Sequence, residues 1–227
     1  MTAQALPVGA ALLLLADGRL PAGGHAHSGG VEPAVTRGLV RDVATLGEFL
    51  RGRLHTAGAT AAALAAAACR AATGPAAAAR LDALDAEADA RMPSPAVRAA
   101  SRSQGRALLR LAVRAWPSPV HVLLGPRPHH PLALGTVCAA AGLDPEASAL
   151  LAATGAVGGP ASAAVRLLGL DPLAVTALQA RLGPAIDRVA RDAALAAVED
   201  PTAAPAAPLL DLLAEEHAAL GVPLFAS

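Results

Sequence analysis

Two helices of opposite charge are encoded by residues 76–114, which read AAAARLDALDAEADARMPSPAVRAASRSQGRALLRLAVR. In the first half, Leu81, Leu84 and Ala88 recur at helical spacing, and acidic residues cover the other faces. The prolines of Met92–Pro95 end this helix and start the next, in which arginines recur at positions 98, 102, 106, 110 and 114. Because helices joined by so short a turn normally pack side by side, we expect an antiparallel pair with mutual charge pairing, in which the leucines contribute more to stability than any single charge.

Helical signals continue on both sides of this pair. Upstream, Thr45 and Glu48 form a capping box that opens a helix. Downstream, Asp144-Pro145 and Asp171-Pro172 each combine an N-cap acid with a proline at the first helical position. The other predicted helices span 8–17, 59–72, 131–142, 145–157, 160–168, 172–182, 184–198 and 209–220, with breaks at Gly158-Gly159, Gly169 and Gly183.

The composition supports an all-α fold. Of the 227 residues, 54% are hydrophobic and 1% aromatic, and the β-branched residues that strands favour are scarce. No composition shift marks a domain boundary, so we expect residues 1–227 to form a single-domain bundle of about ten helices. The Pro/Ala-rich stretch after Glu199 cannot form a continuous helix, which predicts a flexible C-terminal segment over 199–227.

Charge and aromatic content exclude several functions. The chain has no lysine, and its 18 arginines balance 18 acidic residues, so no global field attracts nucleic acid or an anionic membrane. Phe49, Trp116 and Phe225 are the only aromatic residues, which removes the stacking platforms of single-strand and RNA binders. We therefore expect no nucleic-acid and no membrane partner.

The cysteines and the apolar stretches indicate the compartment. Cys69 and Cys138 form neither a disulfide framework nor a CxxC metal motif. The apolar run Ala5–Ala16 has no positive charge before it and is followed by Asp17, so a signal peptide is not expected. The weakly apolar stretch Thr56–Cys69 is too short to span a bilayer. These features predict a cytoplasmic protein.

A glycine-rich loop, LPAGGHAHSGGVE at 20–32, carries the most distinctive chemistry. It lacks the Gly-Lys-Ser/Thr of a phosphate-binding loop. His25, His27 and Glu32 could ligate a transition metal, but a closed site usually needs four ligands. The loop therefore predicts transient or shared metal coordination, glycine-mediated helix packing, or polar residues that face solvent or a partner. We expect a protein contact without a permanent metal.

Other polar groups have simpler interpretations. His129 and His130 precede Pro131 and are predicted to begin a helix, while His217 is predicted to be exposed beside two glutamates. No Gly-x-Ser-x-Gly elbow or Cys/His signature supplies a catalytic nucleophile.

Five blocks, taken in order, resemble the UreF family of urease accessory proteins. They are the segment from Leu12 to Glu32 with its glycine loop, Arg98 to Arg110 with Ser101 and Gly105, His130 to Val137, Ala163 to Leu167 followed by Pro172-Leu173, and Leu224 to Ser227. Two positions depart from the family pattern. His25 stands where the family usually has Phe, and the Gly-Gln that commonly follows Pro-Leu is missing after Leu173.

The resemblance implies an all-helical homodimer without catalytic activity. Such proteins join a UreD-type partner and the GTPase UreG, deliver nickel to apo-urease, and are thought to control GTP hydrolysis. It further implies no tightly bound cofactor, with nickel at most in transit. The candidate partner-binding residues are Gly23, Gly24, His25, His27, Ser28, Glu32, Arg166, Leu209, Leu212 and Leu213, and His25 and His27 are the only candidate metal ligands.

Two other classes of function stay open from the residues alone. One is an enzyme of unknown type that uses the His25/His27 loop, and the other is a helical regulator that binds a small apolar ligand. An enzyme needs a convergent acid/base set in a pocket, so the position of His25, His27 and Glu32 relative to any cavity separates these hypotheses.

Overall fold

A computed structural model describes residues 8–22, 27–199 and 205–219. These residues form an all-α bundle, which confirms the predicted fold class. The helices are α1 (Val8–Ala16), α2 (Val31–Thr36), α3 (Val43–Arg53), α4 (Ala59–Thr73), α5 (Ala77–Arg91), α6 (Pro95–Ala115), α7 (His130–Ala140), α8 (Pro145–Leu168), α9 (Pro172–Glu199) and α10 (Pro208–Ala218). A π-helical turn, Leu54–Gly58, joins α3 to α4, and a 3₁₀ turn, Pro119–Leu123, precedes α7.

Helix α4 lies at the centre and packs against α7, α8, α9 and α5. Small side chains allow this crowding, because Ala65 and Cys69 on α4 face Gly135 on α7. A Cβ atom added to Gly135 would lie 2.3 Å from the Ala65 carbonyl oxygen and 2.8 Å from the Cys69 nitrogen. The two backbones are therefore in direct contact, and only glycine fits at this crossing.

Helices α8 and α9 are continuous, so the predicted breaks at Gly158-Gly159 and Gly183 are wrong. In α9, one buried apolar stripe runs past Gly183 without interruption and consists of Val175, Leu178, Leu182, Ile186, Val189 and Ala193. Burial of this face outweighs the weak helix propensity of a glycine and a proline. The predicted end at Gly169 is confirmed, since this residue caps α8 in the left-handed conformation.

The α3 helix begins earlier than the capping box of Thr45 and Glu48 predicts. Asp42 is the N-cap: its Oδ1 accepts from the Thr45 amide at 2.8 Å, and the Thr45 hydroxyl accepts from the Asp42 amide at 3.1 Å. Thr45 is therefore the third helical residue of a box opened by Asp42. Glu48 forms an exposed ion pair with Arg51 instead.

Charge pairing between α5 and α6 is confirmed for the first half of the arginine row. Arg102 forms ion pairs with Asp85 at 2.9 Å and with Asp89 at 2.8 Å. The main helix neighbour of α5 is α4, and that of α6 is α7, so the pair is linked by long side chains more than by close helix packing. At the other end of the row, Arg106, Arg110 and Arg114 are exposed and form no ion pair within the described residues.

Helix α8 is the one described helix that is long and apolar enough to cross a membrane by length and composition. Because 61% of its most apolar window is buried inside the protein, it has the character of a core helix.

Helix α10 packs on α6 and α2. Glu215 on α10 accepts hydrogen bonds from the Ser94 hydroxyl and, at 2.9 Å, from the Ala96 amide, so it caps the start of α6. His217 is buried, with its Nε2 3.5 Å from Glu32 Oε2, and its predicted exposure is wrong because α10 turns this face inward. Residues 200–204 and 220–227 lie outside the described residues, and the flexibility of 199–227 stays a prediction.

Candidate functional site

A cleft of about 420 Å³ opens between the glycine loop, the α3–α4 junction, the ends of α5 and α7, α6 and α10. Its walls are mixed. Small apolar residues such as Ala57, Ala61 and Val97 alternate with groups that can donate or accept hydrogen bonds. The polar lining residues are His27, Arg53, Thr60, Arg91, Ser101, Gln104, His130 and Asp211. The volume falls in the range of small-ligand sites.

Gly29 fixes the glycine loop over the edge of this cleft. Its φ of +60° is left-handed, and a Cβ atom there would lie 2.8 Å from Pro160 Cγ and 3.2 Å from Arg53 Nη2. Both the conformation and the close approach require glycine. The loop is thereby held against α8 on one side and against the Arg53 guanidinium on the other.

Arg53 compensates for the proline inside α8. Pro160 has no N–H, so the carbonyl of Ala156, four residues earlier, lacks its usual helical donor. Arg53 Nε donates to that carbonyl at 3.1 Å. Burial lowers the pKa of Arg53 to about 10, which leaves the guanidinium charged at neutral pH. The bond explains how α8 continues through Pro160 and why a charged side chain lies at this depth.

Arg91 is the second arginine of the cleft, and its side chain is only 7% exposed. Its Nε binds Glu87 Oε1 at 2.5 Å, one turn earlier on α5. The end of α5 therefore presents a guanidinium that is already oriented by a neighbouring carboxylate.

A partly buried hydrogen-bond chain, centred on buried His129, sets the start of α7 beside the cleft. His129 Nε2 is 2.9 Å from Asp89 Oδ1, and His129 Nδ1 is 3.1 Å from Ser101 Oγ. Ser101 Oγ also accepts from the His130 amide at 3.1 Å. The His129 hydrogen bond, helped by Arg102, holds the pKa of Asp89 below its ordinary value.

Gly105 on α6 allows the segment before α7 to approach closely. A Cβ atom added to Gly105 would lie 2.1 Å from the Pro128 carbonyl oxygen. The segment before α7 therefore rests directly on the α6 backbone. The Ser-His-Asp order is that of hydrolytic triads. In this protein the Ser101 hydroxyl accepts a hydrogen bond from the His130 backbone N–H, which fixes the three residues at the start of α7.

His130 begins α7, as predicted, and lines the cleft together with His27. Burial lowers the pKa of His130 to about 4, and the nearby His27 adds to this effect. At neutral pH the His130 imidazole is uncharged and can act as a donor or an acceptor.

The structure describes two members of the predicted metal set of His25, His27 and Glu32. Glu32 is buried against His217 and is not part of the cleft lining, while His25 lies outside the described residues. Within residues 8–22, 27–199 and 205–219, no group of three or more His, Cys, Asp or Glu side chains could hold a metal ion. Of the two described members, His27 lines the cavity and Glu32 does not, so metal binding by this set stays a prediction.

The remaining predicted contact residues are in different environments. Ser28 is buried, and Arg166 is exposed on α8. Leu209 and Leu212 are 54% and 63% exposed on α10, so a partner can reach them. Leu213 lies in the protein's own core, and a partner would have to displace α10 to contact it. Gly23 and Gly24, like His25, lie outside the described residues.

Sequence patterns alone did not identify Arg53, Arg91, Gln104 or Asp211 as cleft residues. These four residues come from distant parts of the chain and share no motif. Gln104 had a partial signal, because it belongs to the Arg98 to Arg110 block that carried the family resemblance.

The described residues form an all-helical bundle with exposed leucines on α10 beside a mixed cleft, and exposed apolar side chains are typical of proteins that bind partners. The comparisons with known proteins agree. The profile of the UreF family matches residues 40–183. A urease accessory protein UreF from Mycolicibacterium vanbaalenii is 50% identical over 220 residues, covering 96% of this chain and 98% of that protein.

Two further relatives carry the same name. The protein from Mycobacterium sp. (strain JLS) is 51% identical over 216 residues, 95% of this chain and 97% of the relative. The one from Mycobacterium tuberculosis (strain H37Ra) is 46% identical over 220 residues, 96% and 98% respectively. The chain belongs to the UreF family of urease accessory proteins. It is an accessory protein and not an enzyme.

Proposed function

We propose that the chain works in urease maturation, where it binds a UreD-type partner and the GTPase UreG, helps to deliver nickel into apo-urease, and controls GTP hydrolysis. The observation that carries this proposal is the 50% identity to a urease accessory protein UreF along 96% of the chain. We further propose that it acts in the cytoplasm as a homodimer. Nickel is cargo in this scheme, met only in transit, and His25 and His27 are its candidate ligands.

Helix α10 supports a docking role at the C-terminal end. One face is anchored by buried Leu213 and by the Glu215 cap of α6, while Leu209 and Leu212 remain exposed on the other face. Exposed leucines on a short helix that is already held in place can be buried by a partner without unfolding. We propose this face as a contact for the UreD-type protein.

Co-purification tests this contact. We expect Leu212→Asp to reduce recovery of the UreD-type partner by at least about tenfold, since a carboxylate would be buried in an apolar interface. Val122→Asp is the matched control, because Val122 is 81% exposed on the 3₁₀ turn. It should leave recovery unchanged. Equal recovery with both variants would contradict the proposed docking face.

A further inference from the structure

The cleft contains a positive charge that the described chain does not neutralise. No carboxylate of the described residues lies within ion-pair distance of the Arg53 guanidinium. Arg53 Nε donates to the Ala156 carbonyl, and Arg53 Nη2 lies close to Gly29 at the edge of the cleft. A partly buried guanidinium is stabilised when an anion approaches it.

Other residues of the lining can bind the charged end of an anion. Arg91 adds a second guanidinium, and Thr60, Ser101 and Gln104 add neutral hydrogen-bonding groups. Guanidinium groups bind carboxylates and phosphates through paired hydrogen bonds, which are stronger than neutral ones. The π-helical turn between Arg53 and Thr60 displaces this part of the wall from regular α geometry, as π turns often do at functional sites.

Apolar residues also line the α6 and α10 walls. They are Val97 and Ala100 of α6 and Leu210 of α10, and about 420 Å³ is more space than a bare ion needs. Asp211, the single carboxylate among the described lining residues, lies on α10, beyond ion-pair distance of Arg53. The guanidinium groups and the apolar residues together favour a ligand with a charged head and an apolar body.

We propose that this cleft binds a small organic anion, with its carboxylate or phosphate group against Arg53 and Arg91 and its apolar part against α6 and α10. This site goes beyond the proposed function, and it shares helix α10 with the partner contact proposed above. Because α10 forms one wall and carries exposed Leu209 and Leu212 on its other face, ligand binding would also stabilise the docked position of that helix.

Titration calorimetry on the purified full-length protein tests the site, at constant ionic strength in sodium chloride. Benzoate and inorganic phosphate are the probes, since benzoate supplies a carboxylate with an apolar body and phosphate a head group alone. We expect one site per chain, with benzoate bound more tightly than phosphate because the apolar walls contribute. If neither probe shows saturable binding, the proposal is wrong, and the cleft would then be a contact site for a protein partner.

Two nearly isosteric substitutions should change the affinity for the anion in opposite directions. Gln104→Glu adds a negative charge to the cleft and should weaken anion binding by at least about tenfold, while Asp211→Asn removes one and should tighten it. Gln179→Glu is the control, because Gln179 is also half-buried but lies on α9, away from the cleft. If Gln104→Glu and Gln179→Glu have the same effect, binding occurs elsewhere and the assignment is wrong.

Discussion

At the scale of single residues, backbone contact between helices decides where glycine is required. Gly135→Ala would place a methyl group against the Ala65 carbonyl, and backbone cannot move aside as a side chain can. We expect the free energy of unfolding to fall by about 3 kcal/mol, the upper part of the range for overpacked cores. Urea denaturation measures this change.

The control for that substitution is a helical glycine in open space. Gly155 lies inside α8 with no atom within 4 Å of an added Cβ. Gly155→Ala should therefore raise the free energy of unfolding by up to about 1 kcal/mol, through better helix propensity. If both substitutions lowered the free energy of unfolding by a similar amount, close helix approach would not be the reason that glycine is required at position 135.

The half-buried imidazole of His130 makes stability depend on pH. Its pKa is lowered from 6.5 to about 4 in the folded protein, so the unfolded chain binds a proton more readily between these values. Stability should therefore fall as the pH is lowered from about 6.5 towards 4, by at most about 1.4 kcal/mol per pH unit from this group.

Denaturation curves over this pH range test the assignment. His130→Gln should remove most of that slope, whereas His55→Gln, at an exposed position on the π turn, should keep it. If the slope survives in His130→Gln, another group is responsible for the pH dependence.

At the scale of elements, the continuity of α8 through Pro160 is supported by a contact from another helix. Arg53 on α3 donates to the Ala156 carbonyl that Pro160 leaves without a helical donor. Arg53→Ala should cost about 1 to 3 kcal/mol, because that carbonyl then loses the arginine donor. In a Pro160→Ala background the backbone gains an N–H at this position that can donate to the same carbonyl, and the cost should shrink by about 1 kcal/mol.

A double-mutant cycle by thermal or urea denaturation measures this coupling. Its single and double variants are Arg53→Ala, Pro160→Ala and the two combined. Strictly additive effects would mean that Arg53 does not compensate for the proline and acts only through other contacts.

Most elements of this fold were predictable, because their signals are local. Asp144-Pro145 opens α8 and Ser94-Pro95 opens α6, since N-cap side chains and first-turn prolines act within a few residues. The continuity of α8 through Gly158-Gly159 was not predictable, because it depends on packing against α4 and on Arg53, which is far away in the sequence. The 3.6-residue period gives no information about such partners.

The candidate site was likewise predictable only where its signals are local in the sequence. His27 and the loop glycines stand out in the sequence, and His27 does line the cleft. The chain from Asp89 through His129 to Ser101 joins three segments, and neither histidine periodicity nor spacing predicts it. The glutamate neighbours of His217 predict a surface position, yet tertiary packing places this residue beside Glu32.

At the scale of the whole molecule, the bundle brings an exposed leucine face and a mixed cleft together at one helix. Helix α10 offers exposed leucines for a partner, and the same helix closes one wall of a cleft that also contains His27, Arg53 and His130. Because partner and ligand would act on one helix, their binding is expected to be coupled. This arrangement supports the proposed role of the chain in the assembly of urease.

The nickel content of urease tests that claim most directly. In a deletion strain of the native host grown at low nickel, we expect urease protein to accumulate at its normal level but to carry little nickel after purification. Expression of the wild-type chain should restore the metal, and Leu212→Asp should restore less of it than Val122→Asp. Fully nickel-loaded, active urease from the deletion strain would contradict the proposed role in nickel delivery.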